Sequence, residues 1–393
     1  MNICTVNKDV AKVLKSKDVA KVLKSKGEVK GEWCWEDLPI DLVQLISSSL
    51  SLGDCIRFRL ICKTWISITS PLRSNPPLIQ SNSESQPLPW LMSIPVTNKG
   101  ACSFYHPIYS DTYTMDIPEI AGALIHDSKY GWLLLSREKT FLFFFNPLTM
   151  ENIKLPDNEE WHLLYGVSFS SPPTSSDCVV FGITQYHEKF VEMLIYSKND
   201  EDSWYDFRVD TKVPYEFMAS DCNPLFCDGV FYCLSKDGKL GCFNPMESED
   251  DDLIWKVLPV PPVFCFSKLM DFTTDIRGFI GEYDGEIISV FVGVDGKQIE
   301  VYKLDRSELK WVKLDNLGDK VLFLGQKTCM LVTARLKGIE NRIYLPRFKE
   351  NANVFYSLRS GQYHWFGAKE TRADWIDTSE HWNCEWILPT FPV

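Results

Sequence analysis

The residues whose types could do chemistry are scattered along this chain. The six histidines (His106, His126, His162, His187, His364, His381) show no i, i+4 spacing and have no cysteine pair nearby, so the usual zinc-ligand pattern is missing. There is no Gly-x-Gly-x-x-Gly, no Walker loop, no Gly-x-Ser-x-Gly and no His-Glu-x-x-His. Those absences remove the common cradles for dinucleotide, phosphate, acyl-transfer and metalloprotease chemistry. Cys222, Cys227 and Cys233 suggest a metal knuckle at first sight, but Pro224 and Phe226 intervene and no histidine accompanies them. They read as packing residues. The run Glu247-Ser-Glu-Asp-Asp-Asp252 offers carboxylates to a cation. It lacks the mixed oxygen ligands and the glycine of a calcium loop, so it reads as a solvated hairpin loop between two strands. No catalytic residue, metal ligand or cofactor is assigned.

The composition limits what must position such residues. The chain has 393 residues, 45% of them apolar and 13% aromatic, enough for a packed core and room for more than one domain. The net charge is -12, which argues against general nucleic-acid binding. Residues 1–30 carry eight lysines and three acids, a basic tail ahead of an acidic body. An acidic body hints at a target with a basic patch. Thirteen cysteines, an odd count, stand without an apolar leader or any Asn-x-Ser/Thr acceptor. The expectation is therefore a reducing compartment, cytosol or nucleus. No run approaches the ~20 apolar residues of a membrane span.

Within the tail, KDVAKVLKS at 8–16 is repeated unchanged at 17–25. At about 100° per residue the second copy faces away from the first, so the copies cannot build one apolar stripe. A solvated tail is expected at 1–30, and a Pro/Ser/Asn-rich linker at 72–87.

Residues 35–71 predict three short helices. Asp37 is the expected N-cap of the first, with Pro39 in its first turn. Leu38, Leu42, Leu45, Ile46 and Leu50 fall on one face. Ser51-Leu-Gly-Asp54 reads as a capping box opening a second helix, and Pro71 ends the third. So small a unit cannot bury all its apolar side chains against itself, so the excess face should dock a partner. Leu38-Pro39, Leu42, Ile46, Leu50, Leu52, Arg57, Leu60, Cys62-Lys63 and Trp65 keep the order and spacing of an F-box, and the segment (33–71) resembles that family. The resemblance implies docking of a Skp-type adaptor, and through it a cullin and a RING subunit. The expected contacts are Leu38, Pro39, Leu42, Ile46, Leu50, Leu52, Ile56, Leu60, Cys62 and Trp65.

From residue 88 the pattern changes to short aromatic and β-branched runs broken by Gly, Asp and Asn-Pro. One unit reads Gly131-Trp-Leu-Leu-Leu, Phe141 to Leu148, then Ile153 to Pro156. Others begin at Gly229 and Gly285 and end near Trp255-Lys-Val-Leu-Pro259 and Trp311-Val-Lys-Leu314. Less regular copies are expected at 162–217 and 321–366, and Trp386-Ile-Leu-Pro389 is expected to complete the first or last unit. Repeats of about 40–50 residues with three or four strands predict a β-propeller of about six blades over 88–393. The expected fold class is thus mainly β with a small α module. Pro89-Trp-Leu-Met92, Gly131 to Leu135 and Phe144-Phe-Asn-Pro-Leu148 make this half similar to the divergent kelch-like domain of a large plant family of F-box proteins. Trp132, Trp204, Trp255 and Trp311 recur in the repeats and are expected in blade cores. His381, Trp382 and Trp386 are open between core and surface.

The preferred reading is a non-catalytic substrate receptor of an SCF-type ubiquitin ligase, with a protein target on the propeller, no cofactor, and neither nucleic acid nor membrane as partner. A scaffold or decoy without ligase assembly is the alternative. A propeller enzyme is a remoter one, and would need carboxylates such as Asp271, Asp275 and Asp284 to converge on the channel.

Overall fold

The computed structural model describes residues 88–388, apart from 98–100, 109, 138–140, 159–163, 188–189, 199–202, 211–216, 250–251, 262–275, 335, 351 and 366–368. The chain divides into two units, 87–390 and 1–86 with 391–393. The basic tail, the three expected helices with all ten expected adaptor contacts, and the linker lie outside the described residues.

The larger unit is a propeller of six sheets. Blade 2 shows the common plan: Leu124–Lys129 innermost, then Trp132–Arg137, Phe141–Asn146 and Glu151–Lys154 outermost, each antiparallel to the next. Blade 3 (Gly166–Phe169, Val179–His187, Phe190–Ser197, Trp204–Asp210) repeats the plan. So do blade 4 (Leu225–Cys227, Val230–Leu234, Leu240–Glu249, Asp252–Leu258) and blade 5 (Arg277–Tyr283, Glu286–Val292, Ile299–Asp305, Lys310–Leu314).

The first and last blades depart from it. Blade 1 takes Trp90–Ser93, Cys102–His106 and Asp111–Met115 from the start of the unit and its innermost strand, Cys384–Ile387, from the end. Trp90 pairs with Ile387 and Ser93 with Cys384, so the closing segment completes the first blade from the inside. Blade 6 has an added inner hairpin. Cys329–Thr333 is innermost and antiparallel to Lys320–Leu324, which runs parallel to Arg342–Lys349. Ala352–Ser357 and Gln362–Trp365 follow outward, and Ser379–Glu380 pairs with Arg342–Lys349 from the side.

Turn chemistry explains the sequence signature. Tyr130-Gly131, Asp228-Gly229 and Asp284-Gly285 each form the two-residue turn between inner and second strand, and both residues have positive φ in every case. That is the type I′ hairpin, in which glycine carries the left-handed backbone without a Cβ penalty. The "Asn-Pro or Asp" that ends a third strand is an Asx turn. Asn146 Oδ1 accepts from the N–H groups of Leu148 (2.9 Å) and Thr149 (3.0 Å). Asp305 Oδ1 accepts from Ser307 (3.0 Å) and Glu308 (3.2 Å). In blade 4 Asn244 also caps Met246 (2.9 Å), but pairing resumes beyond a bulge as far as Glu249 and Asp252. Of the acidic run, Ser248, Glu249 and Asp252 therefore pair near the end of a hairpin, and 250–251 lie outside the described residues.

The core is radial, lying in layers between blades. One layer packs Trp132, Phe144 and Phe169 (blades 2 and 3), another Phe181, Phe231 and Phe243 (blades 3 and 4). Further layers join blades 4 and 5, 5 and 6, and 6 and 1. Trp204, Trp255 and Trp311 occupy corresponding outer strands. Two of them bond to the preceding blade: Trp204 Nε1–H donates to the Pro156 carbonyl (2.8 Å) and Trp311 Nε1–H to that of Gly238 (2.6 Å). Trp132 is not equivalent to these; it begins the second strand of blade 2 and is fully buried. None of the eight described cysteines forms a disulfide. Cys222 and Cys227 pack in the layer between blades 4 and 5, and Cys233 in the layer between blades 3 and 4.

Candidate functional site

Antiparallel strands place the inner-to-second turns at one end of the propeller and the starts of the inner strands at the other. At the latter end the axial opening is filled by the turn of the added hairpin in blade 6, Gly325 to Thr328. Its groups bond to four other blades. Lys327 Nζ donates to the Tyr165 carbonyl of blade 3 and pairs with Asp221 (2.8 Å). The Lys327 carbonyl accepts from Asn223 N–H (2.9 Å), just ahead of blade 4. The Gln326 carbonyl accepts from Arg277 Nη2 of blade 5 (3.0 Å), and its side chain donates to the His381 carbonyl (2.8 Å). Thr328 Oγ1 donates to Glu385 Oε1 of blade 1 (2.6 Å). Short polar side chains continue the ring. Asn383 Oδ1 accepts from Ile125 N–H (2.8 Å), and its Nδ2 donates to the Ile94 and Ala123 carbonyls (2.8 Å each). Asn223 Nδ2 reaches the His126 carbonyl (2.7 Å).

Below this plug the inner strands carry buried ionisable groups. Asp127 accepts from Ser168 Oγ (2.8 Å) and lies 3.7 Å from Lys129 Nζ, which also donates to Ser168 (2.5 Å). Glu385 is buried, accepts from Thr328 and from its neighbour's N–H at Trp386 (2.9 Å), and crowds Gly325, where a Cβ would meet its carboxylate at 1.8 Å. Burial pushes its carboxyl up to about 7; low solvent access penalises the charged form. Burial, then the charge of Lys327, pushes the His126 imidazole down to about 4. Polar groups of neighbouring blades thus engage one another around the axis, an arrangement suited to holding a ring closed. No set of three or more His, Cys, Asp or Glu among the described residues is grouped to hold a metal ion.

Exposed apolar residues are spread over the described residues, and three of them lie around the mouth. Trp382 is 71% exposed, whereas Trp386 is 1% exposed and packs against Phe323 and Tyr344. Val96 and Leu124 are also exposed. The Asn383 hub gathers the three, since it bonds to Ile94, Ala123 and Ile125 and adjoins Trp382. Beside them a strap from Lys369 to Trp382 crosses from blade 6 toward the axis. Trp375 anchors it, touching Gly296 and lying under the Arg347 guanidinium (4.3 Å). Glu380 ties it down by ion pairs to Arg347 (3.0 Å) and Arg277 (3.1 Å). An exposed aromatic side chain with apolar residues nearby and a polar border is the composition of a protein-recognition surface.

Sequence reasoning found little of this. Asp284 lies in an exposed turn away from the inner-strand starts, and Asp271 and Asp275 lie outside the described residues. Among the described residues the buried acids of the inner strands are Asp127 and Glu385. Polar residues within inner strands, as in Leu124-Ile-His-Asp-Ser-Lys129, were the available signal. His381 stacks on Phe348 (4.2 Å).

Comparison with known proteins adds the part outside the described residues. A family described as KIB1-4 beta-propeller matches residues 104–366, and the F-box domain matches residues 35–75. An F-box/kelch-repeat protein of Arabidopsis thaliana is 33% identical over 347 residues, 87% of this chain and 91% of that one. An F-box protein of the same plant is 31% identical over 329 residues, 81% of this chain and 63% of its own length. A second F-box/kelch-repeat protein from Arabidopsis thaliana is 28% identical over 338 residues, covering 84% and 80%.

Proposed function

The chain belongs to the KIB1-4 beta-propeller family and is a plant F-box protein, and from that premise we propose that it is the substrate-recognition subunit of an SCF-type ubiquitin ligase. The observation that carries the reading is the F-box match at 35–75 in a chain whose remainder is a propeller with a plugged mouth. The F-box docks a Skp-type adaptor through Leu38, Pro39, Leu42, Ile46, Leu50, Leu52, Ile56, Leu60, Cys62 and Trp65. Each such side chain contributes about 1.5–3 kcal/mol on burial before association costs. The adaptor links the chain to cullin and RING subunits. The propeller offers a protein target the rim around Trp382. The subunit performs no chemistry itself. It holds target lysines near the charged ubiquitin carrier, so transfer becomes effectively intramolecular. It acts in the cytosol or nucleus.

Adaptor capture tests this. Purified wild-type chain should retain a Skp-type adaptor on a column, and a Leu38→Ala/Pro39→Ala variant with unchanged thermal unfolding should not. Equal retention by both would remove the F-box contact from the account.

A further inference from the structure

Charge is segregated among the blades. Residues 88–319 carry 19 Lys/Arg against 37 Asp/Glu, a net of -18, whereas residues 320–365, blade 6, carry eight against two, a net of +6. The cations gather at one end of that blade. Lys320 opens the strand 320–324, and its carbonyl accepts from Asn341 N–H (2.9 Å), which brings the connection bearing Lys337 alongside. Arg342 begins the next strand opposite Ser357, and Arg359 sits in the turn that leaves Ser357. Lys337 and Arg359 are exposed. Arg342 is held flat over the Phe355 ring (4.3 Å), which stacks in turn on His364 (5.3 Å). Its Nη1 donates to the Tyr344 hydroxyl (3.3 Å), leaving further N–H donors of the fork to a ligand. Three acids stand nearby: Asp319 pairs with Lys320 (2.9 Å), Asp284 also lies close enough to act on the Lys320 ammonium, and Glu340 accepts from Gly338 N–H (2.7 Å). Among the described residues Lys337, Arg342 and Arg359 have no ion-pair partner.

We propose that this end of blade 6 docks an acidic peptide segment of the target protein, an inference that rests on the receptor reading above. Unpaired cations, one of them lying over an aromatic ring, favour carboxylates. A short peptide fits better than nucleic acid, because a longer polyanion would run onto blades of net -18 and be repelled. The direction is opposite to the one the acidic composition suggests.

The test titrates a fluorescein-labelled Glu/Asp-rich peptide, its Gln/Asn counterpart and a single-stranded DNA oligonucleotide against the full chain. Saturable, salt-sensitive binding of the acidic peptide is expected, weakened roughly tenfold or more by Lys337→Glu/Arg342→Gln/Arg359→Glu. The exposed pair Lys337→Ala/Arg359→Ala, which leaves the Arg342 stack intact, should give an intermediate loss. Unchanged binding in both variants, or tighter binding of DNA than of peptide, overturns the proposal. Adaptor capture is measured on the same samples. Capture without peptide binding defeats the docking site alone; peptide binding without capture defeats the receptor reading alone.

Discussion

Glu385 and Trp382 lie three positions apart, and their surroundings give them opposite roles. Glu385 is sealed beneath the plug with a carboxyl raised from 4.5 to about 7. The fold therefore favours its protonated form. That contribution is fully present below pH 4.5 and is lost as pH rises through about 7, at most roughly 3 kcal/mol. His126 acts in the opposite sense: neutral in the fold, it contributes above pH 6.5 and loses that contribution as pH falls through about 4. Glu385→Gln keeps the acceptor for Thr328 and Trp386 and removes the charge. In chemical denaturation it should match wild type below pH 4.5 and exceed it above pH 7 by about 2–3 kcal/mol. A gap that does not change with pH would mean that Glu385 is not buried as an acid. Trp382→Ala should change stability by less than about 0.5 kcal/mol, whereas Trp386→Ala should cost about 3–5 kcal/mol. Equal losses would contradict their assignment to surface and core. None of these roles was legible in the sequence, since Trp382-Asn-Cys-Glu-Trp386 shows no period that separates a core tryptophan from a surface one. That distinction depends on which strand the segment joins.

At the scale of elements the sequence was far more informative. Gly131, Gly229 and Gly285 mark the same type I′ turn, and Asn146 and Asp305 the same Asx turn, because local turn chemistry demands those residues. Nothing lies within 4 Å of the Cβ that Gly229→Ala would add. The cost should be backbone strain alone, about 1–2 kcal/mol by denaturation; a larger loss would point to contacts the turn does not show. Blades 1 and 6 were legible only in outline, the closing segment as part of the first or last unit and 321–366 as a less regular copy, for a different reason. One is assembled from both ends of the unit, and the other contains a parallel pairing that no local pattern announces. The joint in blade 1 should be decisive. A chain ending at Asn383 lacks the inner strand Cys384–Ile387 and the partners of Trp90 to Ser93. It should lose cooperative thermal unfolding, because the ring is then open and exposes an apolar edge. A sharp transition close to the wild-type midpoint would show that the closing strand is dispensable.

For the whole molecule, the account joins an adaptor-docking segment to a sealed propeller that recognises protein at its periphery. The β-rich class and the blade number were readable because each repeat carries its own turns and its own aromatic contribution to the radial core. The closed mouth was not, because it arises from how distant segments meet; the cation excess of 320–365 stands in the sequence, and only the fold places those cations at one end of a blade. The central claim concerns assembly, and co-elution tests it most directly. The full chain, a Skp-type adaptor and a cullin–RING pair are mixed and passed over a sizing column with mass detection. The account predicts one species containing every component, lost when Leu38 and Pro39 are replaced by alanine. A chain that binds the adaptor but excludes the cullin would be a decoy rather than a ligase subunit, and would contradict it.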